Sequence, residues 1–272
     1  VLPILHGSFG EDGTLQGALD ITGIPYAASG VLGSALGMDK AVVKKVWSYH
    51  GLPVVPYKII RKNDYVSNSA EFVRLVDDFF STYSSPVFIK PNCAGSSLGV
   101  QKASTREECY DAVRDAFQYD HTVLLEKAVA GKEIECAVLE GNPPEVSIPG
   151  QIVPKGDFYD YRAKYIDEDG AKLVIPADLD EAEAKAVRDL AARAFLTAET
   201  EGFARVDFFV EVNTQRIYIN EINTIPGFTS ISMFPRLFIA SGKTFGEILN
   251  IIIHRALKRA AQRREIRYSR KD

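Results

Sequence analysis

The chain has 272 residues, enough for one large domain or two to three small ones with ample core. Apolar content of 46% and charged content of 25% are those of a soluble globular protein, and a net charge of −4 gives no whole-chain argument for binding nucleic acid or a bilayer. Cys93, Cys109 and Cys136 fit no zinc spacing and suggest reduced thiols in a cytosolic setting, no apolar run approaches the roughly 20 residues of a membrane span, and no secretory signal opens the chain.

Residues 1–5 read as a buried strand that runs into the loop His6-Gly-Ser-Phe-Gly-Glu11-Asp12-Gly13. A strand that starts at residue 1 suggests an upstream portion outside this chain. Thr14 caps a helix to about residue 22, stopped by Gly23. Residues 30–37 form a small-residue segment, and a helix follows over 38–50. A strand over 53–61, a helix over 70–83 and a short buried strand over 87–90 lead into Pro91-Asn-Cys-Ala-Gly95-Ser96-Ser97-Leu98-Gly99. Thr105-Arg-Glu-Glu108 is a capping box that opens a helix to about residue 118. Residues 122–129 and 133–139 read as paired strands with Gly131 in the turn. Residues 151–177 lack a period, and a loop this long in a compact fold is functional or disordered. Asp180-Glu-Ala-Glu183 caps a helix to about residue 200. A hairpin follows, built from Arg205-Val-Asp207-Phe-Phe-Val and Ile217-Tyr-Ile-Asn220-Glu221-Ile-Asn223 around the polar residues 212–215. A helix near 232–241 and a second one capped by Thr244-Phe-Gly-Glu247 end the chain in a basic tail. Strands and helices interleave without an internal repeat, so the fold class is α/β or α+β.

The hairpin carries the strongest chemical signal. It can hold Asp207, Glu221 and Asn223 side by side, and these offer only oxygen ligands, which suits Mg²⁺ completed by water and nucleotide phosphates. Gly95-Ser96-Ser97-Leu98-Gly99 lies between two strands and reads either as a phosphate-binding turn or as a flexible hairpin; it is not a Walker A loop. Lys90, at the end of a buried strand, needs an anion or a route to the surface. Lys40 starts a helix, where phosphate is favoured, although most helix lysines are solvated. In the run Glu126-Lys127-Ala128-Val129 backbone groups can take adenine, and Glu133 can accept from a ribose; taken singly, either acid reads more readily as an exposed one. Tyr159-Asp160-Tyr161-Arg162-Ala163-Lys164-Tyr165 reads as a lid over a charged ligand, or as a loop packed on its domain. The Gly227 N–H can face an oxyanion, and Ser232 at a helix start can hold a carboxylate or merely cap. His6 contacts a ligand or holds its loop, and Cys93 is a spectator thiol.

These motifs in this order closely resemble the D-alanine–D-alanine ligases of the ATP-grasp superfamily. The resemblance rests on His6-Gly with Gly10-Glu-Asp-Gly-Thr-Leu-Gln-Gly17, Met38-Asp-Lys40, Ile89-Lys90-Pro91, Gly95-Ser-Ser97, Tyr159-Asp-Tyr-x-x-Lys-Tyr165, Arg205-Val-Asp207 and Asn220-Glu-Ile-Asn-Thr-x-Pro-Gly-Phe-Thr-Ser230. It covers nearly the whole chain except the basic tail.

The resemblance implies an ATP-grasp fold with a remnant of an N-terminal α/β lobe over 1–29, a central lobe over 30–125 and a C-terminal lobe over 126–272. ATP would be bound by Lys40, Lys90, Ser97, Glu126, Lys127, Ala128, Val129, Glu133, Phe158 and Lys164. Asp207, Glu221 and Asn223 would hold two Mg²⁺ or Mn²⁺ ions. Arg205, Gly227, Ser96 and Tyr165 would serve catalysis, and His6, Glu11, Ser232 and Met233 the substrates. The implied reaction joins two D-alanine molecules through an acyl phosphate, in a cytoplasmic homodimer serving peptidoglycan synthesis, with neither nucleic acid nor membrane as partner. A glutamate in an early Gly-Gly-x-Ser-x-Glu loop, which orients the first substrate in the family, has no counterpart in this sequence. The alternatives are a D-alanyl-D-serine or other carboxylate–amine ligase, or a catalytically silent ATP-binding module. Ser232-Met233 favours D-alanine as second substrate.

Overall fold

The computed structural model describes residues 1–67, 69–154 and 171–267. Two antiparallel sheets dominate it. The first has the order β1 (Tyr57–Arg61), β4 (Thr122–Lys127), β2 (Val87–Pro91), β3 (Gln101–Ala103). The second runs β10 (Ile217–Asn223), β9 (Phe203–Glu211), β5 (Gly131–Leu139), β7 (Gly150–Pro154), β8 (Ala171–Val174), with β6 (Glu145–Val146) also paired to β5.

Period-two patterning decides which face of each strand is buried. In the first sheet Val87, Ile89, Val123 and Leu125 point to a core closed by α5 (Ser69–Tyr83) and α6 (Arg106–Ala116), through Val76, Phe79, Val113 and Phe117. The opposite parity places Lys90 and Glu126 on the other face. In the second sheet Val206, Phe208, Val210, Ile134 and Cys136 pack under α3 (Lys40–Tyr49) and α7 (Glu181–Thr197), and Trp47 Nε1 donates to the Ala194 carbonyl at 3.1 Å.

The reverse face of this sheet changes character along its length. At one end Phe203, Ala137 and Leu139 are covered by α8 (Met233–Ala240) and α9 (Phe245–Glu265). At the other end the same face carries Arg205, Asp207, Glu133 and Glu135, so the apolar cover stops and a polar cleft begins there.

Several elements differ from the sequence-based expectation. Residues 1–5 form no strand, because no strand among the described residues lies beside them; the Val1 carbonyl instead accepts from Ala27 N at 2.9 Å. The small-residue segment is a helix, α2 (Val31–Met38), and its small residues serve close packing: a Cβ at Gly33 would lie 2.3 Å from the Glu199 carbonyl oxygen. A short helix, α4 (Lys62–Ser67), precedes α5, and α1 (Thr14–Thr22) has Gly13 rather than Thr14 as its N-cap. β4 and β5 do not pair with each other; residues 128–130 pass from one sheet to the other. Parts of the segment expected as a long loop are strands β7 and β8.

Gly33→Ala is expected to destabilise the fold by about 1–3 kcal/mol, since the obstructing atoms are backbone. Gly246→Ala, in the first turn of α9 with nothing within 4 Å of its Cβ position, is expected to stabilise by about 0.4–1 kcal/mol. Chemical denaturation of the two variants, with opposite shifts of the midpoint, checks both.

Candidate active site

The two sheets meet through charged side chains. Glu126 is 1% exposed, and each of its oxygens has its own lysine: Oε1 lies 3.0 Å from Lys44 Nζ and Oε2 2.7 Å from Lys90 Nζ. Lys90 Nζ also donates to Asn220 Oδ1 at 3.1 Å, which links β2 to β10. Burial works against charge in all three groups, with different outcomes. The two lysines overcome it at Glu126 and hold its carboxyl below the usual range. Glu126 overcomes it at Lys90, whose pKa is raised, whereas burial prevails at Lys44, whose pKa is lowered.

The metal-ligand candidates depend on an irregularity in β10. Up to Ile219 the strand pairs with Val210, Phe209 and Phe208 in one register; beyond it Glu221 faces Asp207 and Asn223 faces Arg205. The extra residue is Asn220. In the uninterrupted register Glu221 would oppose Val206 and turn into the core. The bulge brings Glu221 and Asn223 onto the Asp207 face, a role bulges commonly have beside ligand sites.

Asp207 accepts two bonds from Arg205, Nε to Oδ1 and Nη2 to Oδ2, each 2.7 Å. It also accepts one from Asn223 Nδ2 at 2.9 Å, so the Asn223 oxygen is the atom left for a ligand. Lys40 Nζ stands 3.6 Å from Glu221 Oε2 and donates to the Ala94 carbonyl at 2.9 Å. Two carboxylates and an amide oxygen fit a hard cation such as Mg²⁺ or Mn²⁺. Among the described residues no three His, Cys, Asp or Glu side chains are grouped as a metal cage.

Loop 95–99 joins β2 to β3 as a hairpin turn. Ser96 and Ser97 both adopt left-handed backbone (φ 55° and 58°), and Leu98 N donates to the Gly95 carbonyl at 3.0 Å. This is the form of a type I′ turn. Serine in this region is strained by about 1 kcal/mol or more per residue, and such strain tends to collect at binding sites. A Cβ at Gly95 would sit 3.6 Å from Gly7 Cα, so this loop approaches the N-terminal loop.

That N-terminal loop is fastened beyond β10. Glu11 accepts from Gly7 N at 2.6 Å and from Ile225 N at 3.2 Å, and His6 Nδ1 lies 2.8 Å from the Ile225 carbonyl oxygen. Burial raises the Glu11 pKa despite these bonds. Both residues hold the loop in place.

Lys127 pairs with Glu211 at 2.6 Å and lies over the Tyr218 ring, while Ala128 and Val129 lie in the crossover to β5. Glu133 is on β5, opposite Phe209. Ser232 is the N-cap residue of α8, and its Oγ accepts from Thr229 N at 3.1 Å. A Cβ at Gly227 would meet that Oγ at 2.8 Å. Met233 is 5% exposed, with its side chain in the core beneath α8. Phe158, Lys164, Tyr165 and the remainder of the expected lid lie outside the described residues. Burial, with Asp120 and Asp39 nearby, pushes the Cys93 thiol up to about 12, as suits a spectator.

Three residues of the site escaped the sequence reading. Lys44 stands one turn after Lys40 on the same helix, so the i, i+4 spacing was an available signal. Glu135 shares the parity of Glu133 on β5. Asn220 could be found from the break in alternation, since Ile217 and Ile219 are followed by Ile222 rather than by an apolar residue at 221.

Two antiparallel sheets whose facing side chains bring lysines of α3 and β2 to acids of β4 and β10 are the arrangement of an ATP-grasp protein. The profile of the family described as D-ala D-ala ligase C-terminus matches residues 46–254. The chain is 45% identical over 270 residues to a D-alanine–D-alanine ligase of Caldicellulosiruptor bescii, covering 99% of this chain and 73% of that one. It is 46% identical over 272 residues to the corresponding ligase of Oceanobacillus iheyensis, covering 100% and 72%. Among solved structures, the D-alanine–D-alanine ligase of Coxiella burnetii superposes with a TM-score of 0.84 at 35% identity, covering 97% of this chain and 69% of that chain. The VanG D-Ala:D-Ser ligase of Enterococcus faecalis gives 0.83 at 34% identity, covering 94% and 72%. The chain belongs to the D-alanine–D-alanine ligase family.

Because the Glu126 pKa is depressed in the folded state, its contribution is present above the unfolded value of about 4.3 and is lost as the pH falls through the folded value. Glu126→Gln is expected to lose about 3–5 kcal/mol at neutral pH, as it leaves two buried lysines uncompensated. Its stability should also fall less steeply in acid than that of the wild type. Denaturant titrations across the acid range measure both effects.

Proposed function

We propose that this chain is an ATP-dependent ligase that joins two D-alanine molecules into D-alanyl-D-alanine through an acyl phosphate, for peptidoglycan precursor synthesis in the cytoplasm. The observation that carries the reading is the meeting of Lys40 with Glu221 and of Lys90 with Asn220, beside the bonded pair Asp207 and Asn223. Its first substrate donates a carboxylate oxygen to the γ-phosphorus of ATP and ADP leaves; the amine of the second attacks the acyl carbon, losing a proton, and phosphate leaves.

Lys40 and Lys90 bind phosphate oxygens; Lys164, to which the resemblance gives the same role, lies outside the described residues. The strained turn at Ser96 and Ser97 presents its N–H groups and hydroxyls to the same anion. Lys127, Ala128 and Val129 line the adenine side, and Glu133 accepts from the ribose. Glu126 acts on this side through Lys90, whose ammonium group it holds in place. Asp207, Glu221 and Asn223 hold two divalent ions, Mg²⁺ or Mn²⁺, which neutralise phosphate charge during transfer. Arg205 and the Gly227 N–H face the oxyanion that forms at the acyl carbon. His6 and Glu11 shape the first substrate's side, and Ser232 with the Met233 backbone takes the second carboxylate. Ser96 belongs to the glycine-rich loop; Tyr165, with which the resemblance pairs it, lies outside the described residues. No helix among the described residues is long and apolar enough to cross a membrane. The family resemblance supports a homodimer, which sedimentation would test.

The direct experiment is phosphate release with ATP, Mg²⁺ and D-alanine, with the product identified by mass. D-alanyl-D-alanine is expected; ATP bound without any dipeptide would leave a silent nucleotide-binding module. Asp207→Asn and Glu221→Gln should each lower turnover by at least about 10²–10³-fold, the scale of a lost electrostatic contact to the transition state, with the thermal midpoint little changed. Near-normal rates in either variant would overturn the ligand assignment.

A further inference from the structure

Glu135 is not among the groups given a role above, yet it stands directly across β9 from Asp207, while Glu221 faces Asp207 from the other side. Three carboxylates thus form a row over three adjacent strands. Opposed like charges in a sheet repel, and Glu135 is 5% exposed, with little water to screen it.

Arg205 is the cation in this row. Its Nε donates to Asp207 Oδ1 at 2.7 Å and lies 3.1 Å from Glu135 Oε2, an ion-pair contact without hydrogen-bond geometry. Its Nη2 meets the second oxygen of Asp207. Asp207 therefore has both oxygens covered by the guanidinium, although the proposed ligase reaction, on which this inference rests, needs the same carboxylate for a divalent ion. An ion that draws Asp207 toward itself lengthens its bonds to Arg205. A buried guanidinium deprived of its carboxylate is heavily penalised unless another is within reach. Glu135 is already within ion-pair distance of it, with a carboxylate oxygen that can accept its N–H.

We propose that Glu135 is a positioning residue that retains Arg205 when Asp207 turns to the metal, so that the cation of the chain and the divalent ion occupy the site together instead of competing for one carboxylate. Glu135 acts through Arg205 and is not itself an ion ligand.

The test uses Mn²⁺ with ADP as probe. In Glu135→Gln the dissociation constant for Mn²⁺ should rise about tenfold, the lower end of what loss of a group behind a metal ligand costs. The hyperfine spectrum of the ion that does bind should match the wild type. Glu135→Asp, which keeps the charge, should recover most of the affinity. An unchanged Mn²⁺ affinity in Glu135→Gln overturns the proposal, and so does an altered spectrum, which would make Glu135 a ligand. A second measurement needs no variant: the Arg205 Nε–H resonance of the wild-type chain should stay protected from exchange when Mg²⁺ and ADP are added, and its loss overturns the proposal. A wild-type chain that binds neither Mn²⁺ nor ADP overturns the ligase reading and this inference with it.

Discussion

Lys44, Glu126 and Lys90 are withdrawn from water where the two sheets meet, and the position of the cleft depends on how they satisfy one another. Removing three charges from solvent is unfavourable unless each finds close partners. Here each oxygen of one carboxylate has its own ammonium group, and Lys90 passes the connection on to Asn220 of β10. The link between the sheets is therefore electrostatic at this point. An apolar seam in the same place would seal the walls together and leave no room for a polyanion.

Charges of both signs meet around the site: lysines from α3 and β2, Arg205 from β9, and acids from β4, β5, β9 and β10. Lys40 of α3 reaches Glu221 of β10. In the proposed reaction a polyphosphate would take over lysine contacts such as this one and a divalent ion the carboxylate, so binding would exchange partners among groups already in place, which keeps reorganisation small. The left-handed serines of the β2–β3 turn belong to the same economy, since their strain is present before any ligand arrives.

Much of this was legible in the sequence because it follows local rules. Alternating apolar residues announced β9 and β10, and Asp180 and Thr244 form the capping boxes their spacing suggested. The run Gly95–Gly99 is a turn between strands, as its composition implied. What stayed hidden depends on partners far away in the chain. Gly33 and Gly37 are tolerated within α2 because Glu199 and Thr224 leave no space for side chains there, and nothing near them in sequence says so. β4 and β5 are adjacent in sequence yet belong to different sheets. Lys44 reads as an ordinary helical lysine until Glu126, from a strand about eighty residues later, is brought against it.

The bulge in β10 shows why fold and site were hardest to separate at that point. A regular strand must send alternate residues to opposite faces, so it cannot bury both Ile219 and Ile222 while keeping Asn220 and Glu221 out of the core. One extra residue resolves the conflict. Ile222 returns to the core opposite Val206, Asn220 reaches Lys90 on the other sheet, and Glu221 joins Asp207. The interruption of the ladder is local, whereas its effect on side-chain direction extends to the end of the strand. A register error of one residue here would turn Glu221 into the core and Ile222 into the cleft. The same packing that stabilises the sheet therefore enforces the arrangement of acids on which the chemistry depends.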